Sequence, residues 1–241
     1  MDSTSHVAVS LASVMSRVMD VTANNIANAG TAGFKAERVA LEAFRPSNGS
    51  DYVLDTGSYV DVSQGAMATT GNPLDVALTG PGWLAFATED GRTGYGRGGH
   101  LALDADGNVV NTSGALLLGA DGMPIALPPD AGPIEIAADG TISSVEGGPL
   151  ARIGLFDLDD PDALTRVGGG LLAAPIGAPD GARAAEGTTI LQGAVEGSNV
   201  EPVLEMVGLL EIQRAYERAT QMIRTHDELA RDAVRRTGST S

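Results

Sequence analysis

The chain contains no cysteine, few aromatic residues and little positive charge. Because none of the 241 residues is Cys, disulfide bonds, thiolate metal ligands and a cysteine nucleophile are excluded. Aromatic residues make up only 4% of the chain, so a large aromatic ligand pocket is not expected. The 15 Lys and Arg are outnumbered by 31 Asp and Glu, and the net charge is −16. This charge argues against binding to nucleic acid or to an anionic membrane surface, where Lys and Arg must contact phosphates.

Patterns typical of catalysis or of cofactor binding are missing or incomplete. The three His of the chain are His6, His100 and His226, and they have no metal-ligand spacing. Residues 80–85 match a dinucleotide fingerprint in letters only, because Pro81 removes a backbone donor and a strand-like run follows. Residues 104–108 resemble part of a calcium loop without its closing Glu, and an ordinary hairpin turn is the alternative. We therefore predict no catalytic residue, no cofactor and no metal; a site built from scattered residues stays open.

The chain does contain enough apolar residues for a sizeable core, together with many glycines. Hydrophobic residues make up 43% of the sequence, which excludes global disorder. The 32 Gly favour many turns and short strands. No apolar run approaches the length of a membrane span, and the first residues lack a basic n-region. We expect neither membrane insertion nor a cleavable signal peptide.

Charge is distributed unevenly along the chain. Residues 1–45 carry four basic and four acidic side chains, and residues 187–241 carry six and eight, so a net charge of −14 lies in residues 46–186. Near-neutral ends can pack beside copies of themselves without strong repulsion, whereas the acidic middle favours contact with water. The alternative is that the acidity only keeps the protein soluble.

The first segment has the apolar period of a helix. Its apolar positions, spaced three or four apart, are Val7, Leu11, Val14, Val18 and Val21, and Met15 and Met19 widen the stripe. Asn24, Asn25 and Asn28 follow, and such side chains can terminate a helix or bond to neighbouring helices. Gly30 and Gly33 then permit the turns that stop the helix.

A second, longer helix is predicted near the C-terminus. It begins near Asn199, a suitable N-cap, with Pro202 in its first turn, and it continues to about Val234. One face is formed by Leu204, Val207, Ile212, Ala215, Ala219, Met222, Ile223 and Ala230. Val203 and Leu210 broaden this face, so we expect the helix to contact more than one neighbour.

The middle of the chain has the pattern of an antiparallel β domain. Asp-Gly pairs, which favour tight hairpin turns, begin at Asp90, Asp106, Asp121, Asp139 and Asp180. The strands predicted between them are 74–78, 83–88, 100–103, 116–118, 134–137 and 152–157. Residues 168–187, rich in Gly, Ala and Pro, are predicted to be a return connection. In the preceding segment we predict a loop at 45–50 and short extended pieces at 52–54 and 59–62.

These patterns predict an α+β fold with two terminal α-helices that pair as a coiled-coil-like layer and a central, mainly antiparallel β domain. The predicted domains are an N-terminal helix with its following turn (1–35), an extended connector (36–70), the β domain (71–186) and a C-terminal assembly helix (187–241).

Three separated motifs resemble those of flagellar rod and hook proteins. They are Ala23–Asn28 with Thr31–Lys35, then Gly71–Leu78 with Gly80–Leu84, and finally Gly193–Val200 with Glu205–Val207 and Arg214–Glu217. The motifs cover nearly the whole chain in order. Within that family, the length and the opening residues are most similar to the proximal rod subunits, and the distal rod subunits are the alternative. Gly30 and Ala32 depart from the family pattern, in which polar residues are commoner.

The resemblance implies a structural subunit of the bacterial flagellar basal-body rod that polymerises through its terminal helices, transmits torque and is not an enzyme. Its implied partners are other rod subunits and the flagellar export apparatus, and its implied location is the basal body across the periplasm, reached without a cleaved signal peptide. The expected assembly interface is Leu11, Val14, Val18, Asn24, Asn25, Asn28, Phe34, Asn199, Leu204, Val207, Ile212, Tyr216 and Ile223. The rival from another class is an enzyme or binding protein whose β domain carries helical oligomerisation arms.

Overall fold

The computed structural model describes residues 2–44, 52–145 and 147–238, and it confirms the α+β class. Within these ranges there are two α-helices and 18 β-strands. The chain forms two compact units. The helical unit comprises Met1–Ala27, Glu37–Tyr59 and Glu201–Ser241, and the β-rich unit comprises Asn28–Ala36 and Val60–Val200. Neither helix, over its described residues, combines the length and the apolar character that crossing a bilayer requires.

Helix α1 spans Asp2–Ala27; of its predicted apolar stripe Val14 is buried, and Val7, Leu11, Val18 and Val21 are half-buried. Thr22 and Asn25 are buried as well. The chain then turns, with the Thr31 backbone N–H donating to the Asn28 carbonyl at 3.0 Å. Of the two glycines predicted to allow this turn, Gly33 is the constrained one. Its φ is +68°, and a Cβ there would lie 2.1 Å from the backbone nitrogen of Gly98.

The connector predicted at 36–70 contains a two-stranded sheet. Strand β1 spans Glu37–Phe44 and pairs with β2, which spans Tyr52–Val60. The two short pieces predicted at 52–54 and 59–62 are therefore wrong in their extent, because one continuous strand replaces them. β-branched and aromatic residues favour this extended backbone. The loop predicted at 45–50 lies outside the described residues.

Helix α2 spans Pro202–Gly238 and begins at the proline, as its fixed φ allows. The predicted N-cap role of Asn199 is wrong. Its side-chain oxygen accepts from the backbone N–H of Ala36 at 2.7 Å, and its amide nitrogen donates to the Asp61 carbonyl at 2.8 Å. Tertiary contacts therefore occupy the groups that a cap would need.

The β-rich unit is built from short strands in several sheets. The strands are β3 Met67–Thr69, β4 Val76–Thr79, β5 Trp83–Ala87, β6 Thr93–Gly96, β7 Leu101–Leu103, β8 Val109–Asn111, β9 Leu116–Leu117, β10 Ile134–Ile136, β11 Thr141–Ser144, β12 Gly148–Arg152, β13 Leu155–Leu158, β14 Thr165–Gly168, β15 Leu171–Ala173, β16 Ala182–Ala184, β17 Thr189–Gln192 and β18 Ala194–Glu196. The largest sheet has nine strands: seven follow the path β14-β15-β6-β5-β9-β8-β7, β13 pairs with β5, and β16 pairs with β13. A three-stranded sheet holds β10 to β12, and the pairs β17-β4 and β18-β3 complete the unit.

The prediction of hairpins at Asp-Gly pairs is confirmed at three positions. The turns that begin at Asp90, Asp106 and Asp139 each join two strands that pair antiparallel, β5-β6, β7-β8 and β10-β11. The side chain of Asp104 stabilises the turn at 104–108. Its carboxylate accepts from the backbone N–H groups of Asp106 and Asn108, each at 2.8 Å. The turn at Asp180 is not a hairpin, since β16 pairs with β13 and not with β15.

Two predictions in the β region are wrong. The strand predicted at 152–157 is two strands, β12 and β13, separated at Ile153 and Gly154. The return connection predicted at 168–187 contains β15, all of whose residues are buried, and β16. β15 and β16 have three residues each, which is too short for an alternation of apolar and polar residues, and the Gly and Pro around them indicate a loop instead. The fully buried core that the sheets enclose includes Leu78, Leu84, Phe86, Leu117, Ile142 and Leu172.

The turn between β5 and β6 allows a simple test of the local electrostatics. Hydrogen bonds from Arg92, and then from the Thr88 hydroxyl, lower the pKa of the Asp90 carboxyl to about 2. Because this pKa lies below its unfolded value of 3.8, the contribution to stability is complete above pH 3.8 and is lost as the pH falls through about 2. We expect a carboxyl carbon NMR titration to give a pKa near 2 for Asp90, and Arg92→Ala to raise it. An unchanged pKa in Arg92→Ala would contradict this assignment.

Candidate assembly surface

The helical unit combines α1, the β1-β2 sheet and α2. Helix α1 packs against α2. The more buried face of α2 contains Glu205, Leu209, Ile212, Ala215, Tyr216, Ala219 and Ile223. These positions recur at steps of three and four, as expected for the side of a helix that contacts another helix.

Three polar contacts hold the β1-β2 sheet against the two helices. The Asn25 side chain bonds both backbone groups of Glu37, accepting from its N–H at 3.0 Å and donating to its carbonyl at 2.9 Å. Arg17 on α1 pairs with Asp55 on β2 at 3.0 Å. On the other side, Arg38 of β1 donates to the Glu205 carboxylate of α2. A two-stranded sheet is marginal in water by itself, and these contacts supply its support.

The opposite face of α2 is apolar and exposed over its first turns. We call Val203, Leu204, Met206, Val207 and Leu210 the α2 patch. These five side chains are between 50% and 71% exposed. Val203, Val207 and Leu210 lie one above another on the helix surface, and the other two flank them. Contiguous exposed apolar side chains of this kind mark interaction sites in proteins.

Further along α2 the exposed surface is a shallow groove of about 530 Å³. It is lined by Arg218, Gln221, Met222, Thr225, His226 and Leu229. Met222 and Leu229 provide its apolar part, and the surrounding residues are polar. Both the α2 patch and this groove therefore leave α2 with apolar surface that the described part of the chain does not cover.

In the β-rich unit, a buried ion cluster joins segments that are far apart in sequence. The Glu196 carboxylate is fully buried and accepts from the Lys35 ammonium at 2.6 Å, the Arg97 guanidinium at 2.8 Å and the Gly65 N–H at 2.9 Å. Arg97 also donates to the carbonyls of Gly80 and Gly82. Burial lowers the pKa of the Lys35 ammonium, and the hydrogen bond to Glu196 opposes that shift. We call Lys35, Arg97 and Glu196 the Glu196 cluster.

The predicted interface residues fall into three groups by exposure. Asn24, Leu204 and Val207 are exposed; Leu11, Val18, Asn28, Asn199, Ile212, Tyr216 and Ile223 are half-buried; Val14, Asn25 and Phe34 are buried. Phe34 packs with Ala36 and Val200, and the Arg166 guanidinium lies 4.5 Å from its ring centre. Roles in assembly for all of these residues stay predictions, and the exposed ones on α2 have the most accessible surface.

The Glu196 cluster did not emerge from the sequence patterns. Glu196 and Lys35 are 161 residues apart, so no local period or motif connects them. The available signal was a charged residue inside an apolar strand, Ala194–Glu196, because a buried charge requires a partner. That signal indicates that a partner exists without identifying it.

Known proteins are similar in sequence to nearly the whole length of this chain. Family models described as flagella basal body rod protein, flagellar hook protein FlgE/F/G D1 domain, and flagellar basal body rod FlgEFG protein C-terminal match residues 7–35, 77–144 and 191–236. The chain is 36% identical over 248 residues to the flagellar basal-body rod protein FlgF of Caulobacter vibrioides, covering 99% of each chain. It is 36% identical to FlgF of Escherichia coli, covering 95% of this chain and 96% of the other. It is 30% identical to the flagellar basal-body rod protein FlgG of Bacillus subtilis, covering 90% and 92%.

Proposed function

The chain belongs to the family of flagellar basal-body rod proteins, and from this membership we infer that it is a structural subunit of the flagellar rod. Its activity is mechanical: it assembles with other subunits and carries torque. The exposed α2 patch is the observation that supports this role best. Each large apolar side chain that becomes fully buried contributes about 1.5–3 kcal/mol, so several of them can stabilise a contact between subunits.

The position that we propose is the proximal part of the rod. The FlgF sequences are more similar to this chain than the FlgG sequence described above, and the opening residues resemble proximal subunits. The distal rod is the alternative. In either position we propose that α1 and α2 pair as a coiled-coil-like inner layer and that neighbouring subunits cover the α2 patch. The acidic β-rich unit keeps its charge in contact with water.

The remaining proposals follow from family membership. The partners are further copies and neighbouring rod subunits, and delivery is through the flagellar export apparatus. The location is the basal body, across the periplasm. We propose no catalytic step for this chain, because the contacts described above are those of packing and of structural ion pairs.

Electron microscopy of tagged basal bodies tests this proposal. A short epitope inserted after Gly122 lies in the exposed turn that follows Asp121, within the β-rich unit. We expect antibody-bound gold on the rod of purified basal bodies, and its distance from the hook distinguishes the proximal from the distal position. Gold on the hook, or label found only in the soluble fraction of a motile strain, would contradict a rod subunit.

A further inference from the structure

The chain passes between its two units at four places, and three of them meet at one side chain. The passages follow Ala27, Ala36, Tyr59 and Val200. Asn199 lies one residue before the last passage. Its side chain contacts the segment that ends at Ala36 and the segment that begins at Val60.

The side-chain amide of Asn199 makes four hydrogen bonds. Its oxygen accepts from the Ala36 N–H at 2.7 Å, and its nitrogen donates to the carbonyls of Asp61 at 2.8 Å and Ser63 at 3.1 Å. It also lies 3.0 Å from the Ser63 hydroxyl. Backbone bonds reinforce the arrangement, because the Asp61 N–H donates to the Ala36 carbonyl at 2.8 Å. One side chain thus holds three backbones side by side.

The Glu196 cluster joins the same three segments a short distance along the chain. Lys35 donates both to Glu196 and to the Ser63 carbonyl, and Glu196 also accepts from the Gly65 N–H. Asn199 and Glu196 are therefore two consecutive ties between residues 34–36, 61–65 and 196–199. We call these ties the junction.

We propose that the Asn199 side chain holds the three segments of the junction together, so that they bear an applied force jointly. The purpose of this tie rests on the proposed role in torque transmission, whereas its mechanical effect does not. A force along the terminal segments enters the β-rich unit at Asn28 and at Val200, and the junction lies close in sequence to both points. With Asn199 in place, its hydrogen bonds to the other two segments resist the force in parallel. Without it, only the Glu196 cluster and backbone bonds such as that from Asp61 to Ala36 hold these segments together.

Single-molecule pulling in two directions tests this inference on the full chain. Because the chain has no Cys, a pair of introduced cysteines gives unique attachment points. The pair Asp2→Cys and Thr237→Cys directs force through the junction. The pair Asp106→Cys and Ile176→Cys, both at exposed turns, directs force across the large sheet.

Asn199→Ala removes every hydrogen bond of this side chain, and Asn199→Asp keeps an acceptor for Ala36 while losing all three bonds that the amide nitrogen donates. Asn108→Ala is the matched control, because that amide bonds Asp104 within one hairpin turn. We expect Asn199→Ala to lower the unfolding force of the β-rich unit in the end-to-end direction, Asn199→Asp to lower it less, and the force across the sheet to stay unchanged. Unfolding forces report the barrier in the direction of pulling and not the overall stability.

An equal loss of force in both directions would show that Asn199 contributes only general stability, and no loss in either direction would show that it carries no force; both results overturn the inference. If Asn199→Ala does not fold, Asn199→Asp decides between these outcomes. Rod assembly does not enter the measurement, so its result is independent of the test of the proposed function.

Discussion

Replacing Val207 with Asp is expected to abolish rod assembly and swimming while leaving the isolated chain folded. Val207 is 50% exposed in the centre of the α2 patch, so water can solvate the new carboxylate before assembly. In an assembled rod the same carboxylate would enter an apolar contact, at a cost on the order of several kcal/mol. The predicted result is a non-motile strain that produces a soluble, folded subunit.

The control for this substitution is Gln213→Asp, which adds the same charge to an exposed position of the same helix. We would compare swimming in soft agar, recovery of the subunit in purified basal bodies, and thermal unfolding of each purified chain. Gln213→Asp should swim. A motile Val207→Asp strain, or a large fall in the melting temperature of that variant alone, would remove the α2 patch from the assembly surface.

The second large effect is expected from Glu196→Ala. Removing this carboxylate leaves the Lys35 ammonium and the Arg97 guanidinium buried without their counter-charge. Breaking a buried pair in this way typically lowers the free energy of unfolding by about 3–5 kcal/mol. Denaturant titrations of the full chain at neutral pH would measure the loss. Glu205→Ala is the control, since its partner Arg38 stays 41% exposed and keeps its hydration.

The pH dependence of this loss identifies its cause. Because burial holds the pKa of Lys35 below 10.5, the unfolded chain binds more protons between the folded pKa and 10.5, and stability rises with pH in that window. Without Glu196, the two contributions that raise the pKa of Lys35 most are gone, and the window extends to lower pH. The deficit of Glu196→Ala should therefore shrink as the pH approaches 10.5. A deficit that is equal at every pH would exclude Lys35 as its source.

Elements whose cause is local could be predicted from the sequence. The helices α1 and α2 follow from apolar spacing. The hairpins at Asp90, Asp106 and Asp139 follow from the glycine after each Asp, which adopts the positive φ that a tight turn requires. The strands β15 and β16 could not be predicted, because three residues surrounded by Gly and Pro carry no period. Their stability comes from neighbouring strands and not from their own sequence.

The candidate assembly surface also has a part that the sequence predicts and a part that depends on distant segments. The apolar side chains of the α2 patch follow from composition along one helix, although spacing alone does not show which face of α2 meets α1. Asn199 illustrates the limit more directly. Its position before Pro202 fits a helix cap, yet Ala36 and Asp61 compete for the same amide. Only the arrangement of distant segments decides between the two uses.

The pairing of β3 with β18 and of β4 with β17 determines when the β-rich unit can form during synthesis. The earlier strand of each pair is made more than a hundred residues before its partner, and Arg97 likewise precedes Glu196 by 99 residues. Contacts between such distant segments form slowly, because the ends of a long loop must first meet. The nascent chain therefore lacks its closing strands until residue 196 is available. Until then β3 and β4 have no partner strands, so the β-rich unit completes its fold only when nearly the whole chain has been made.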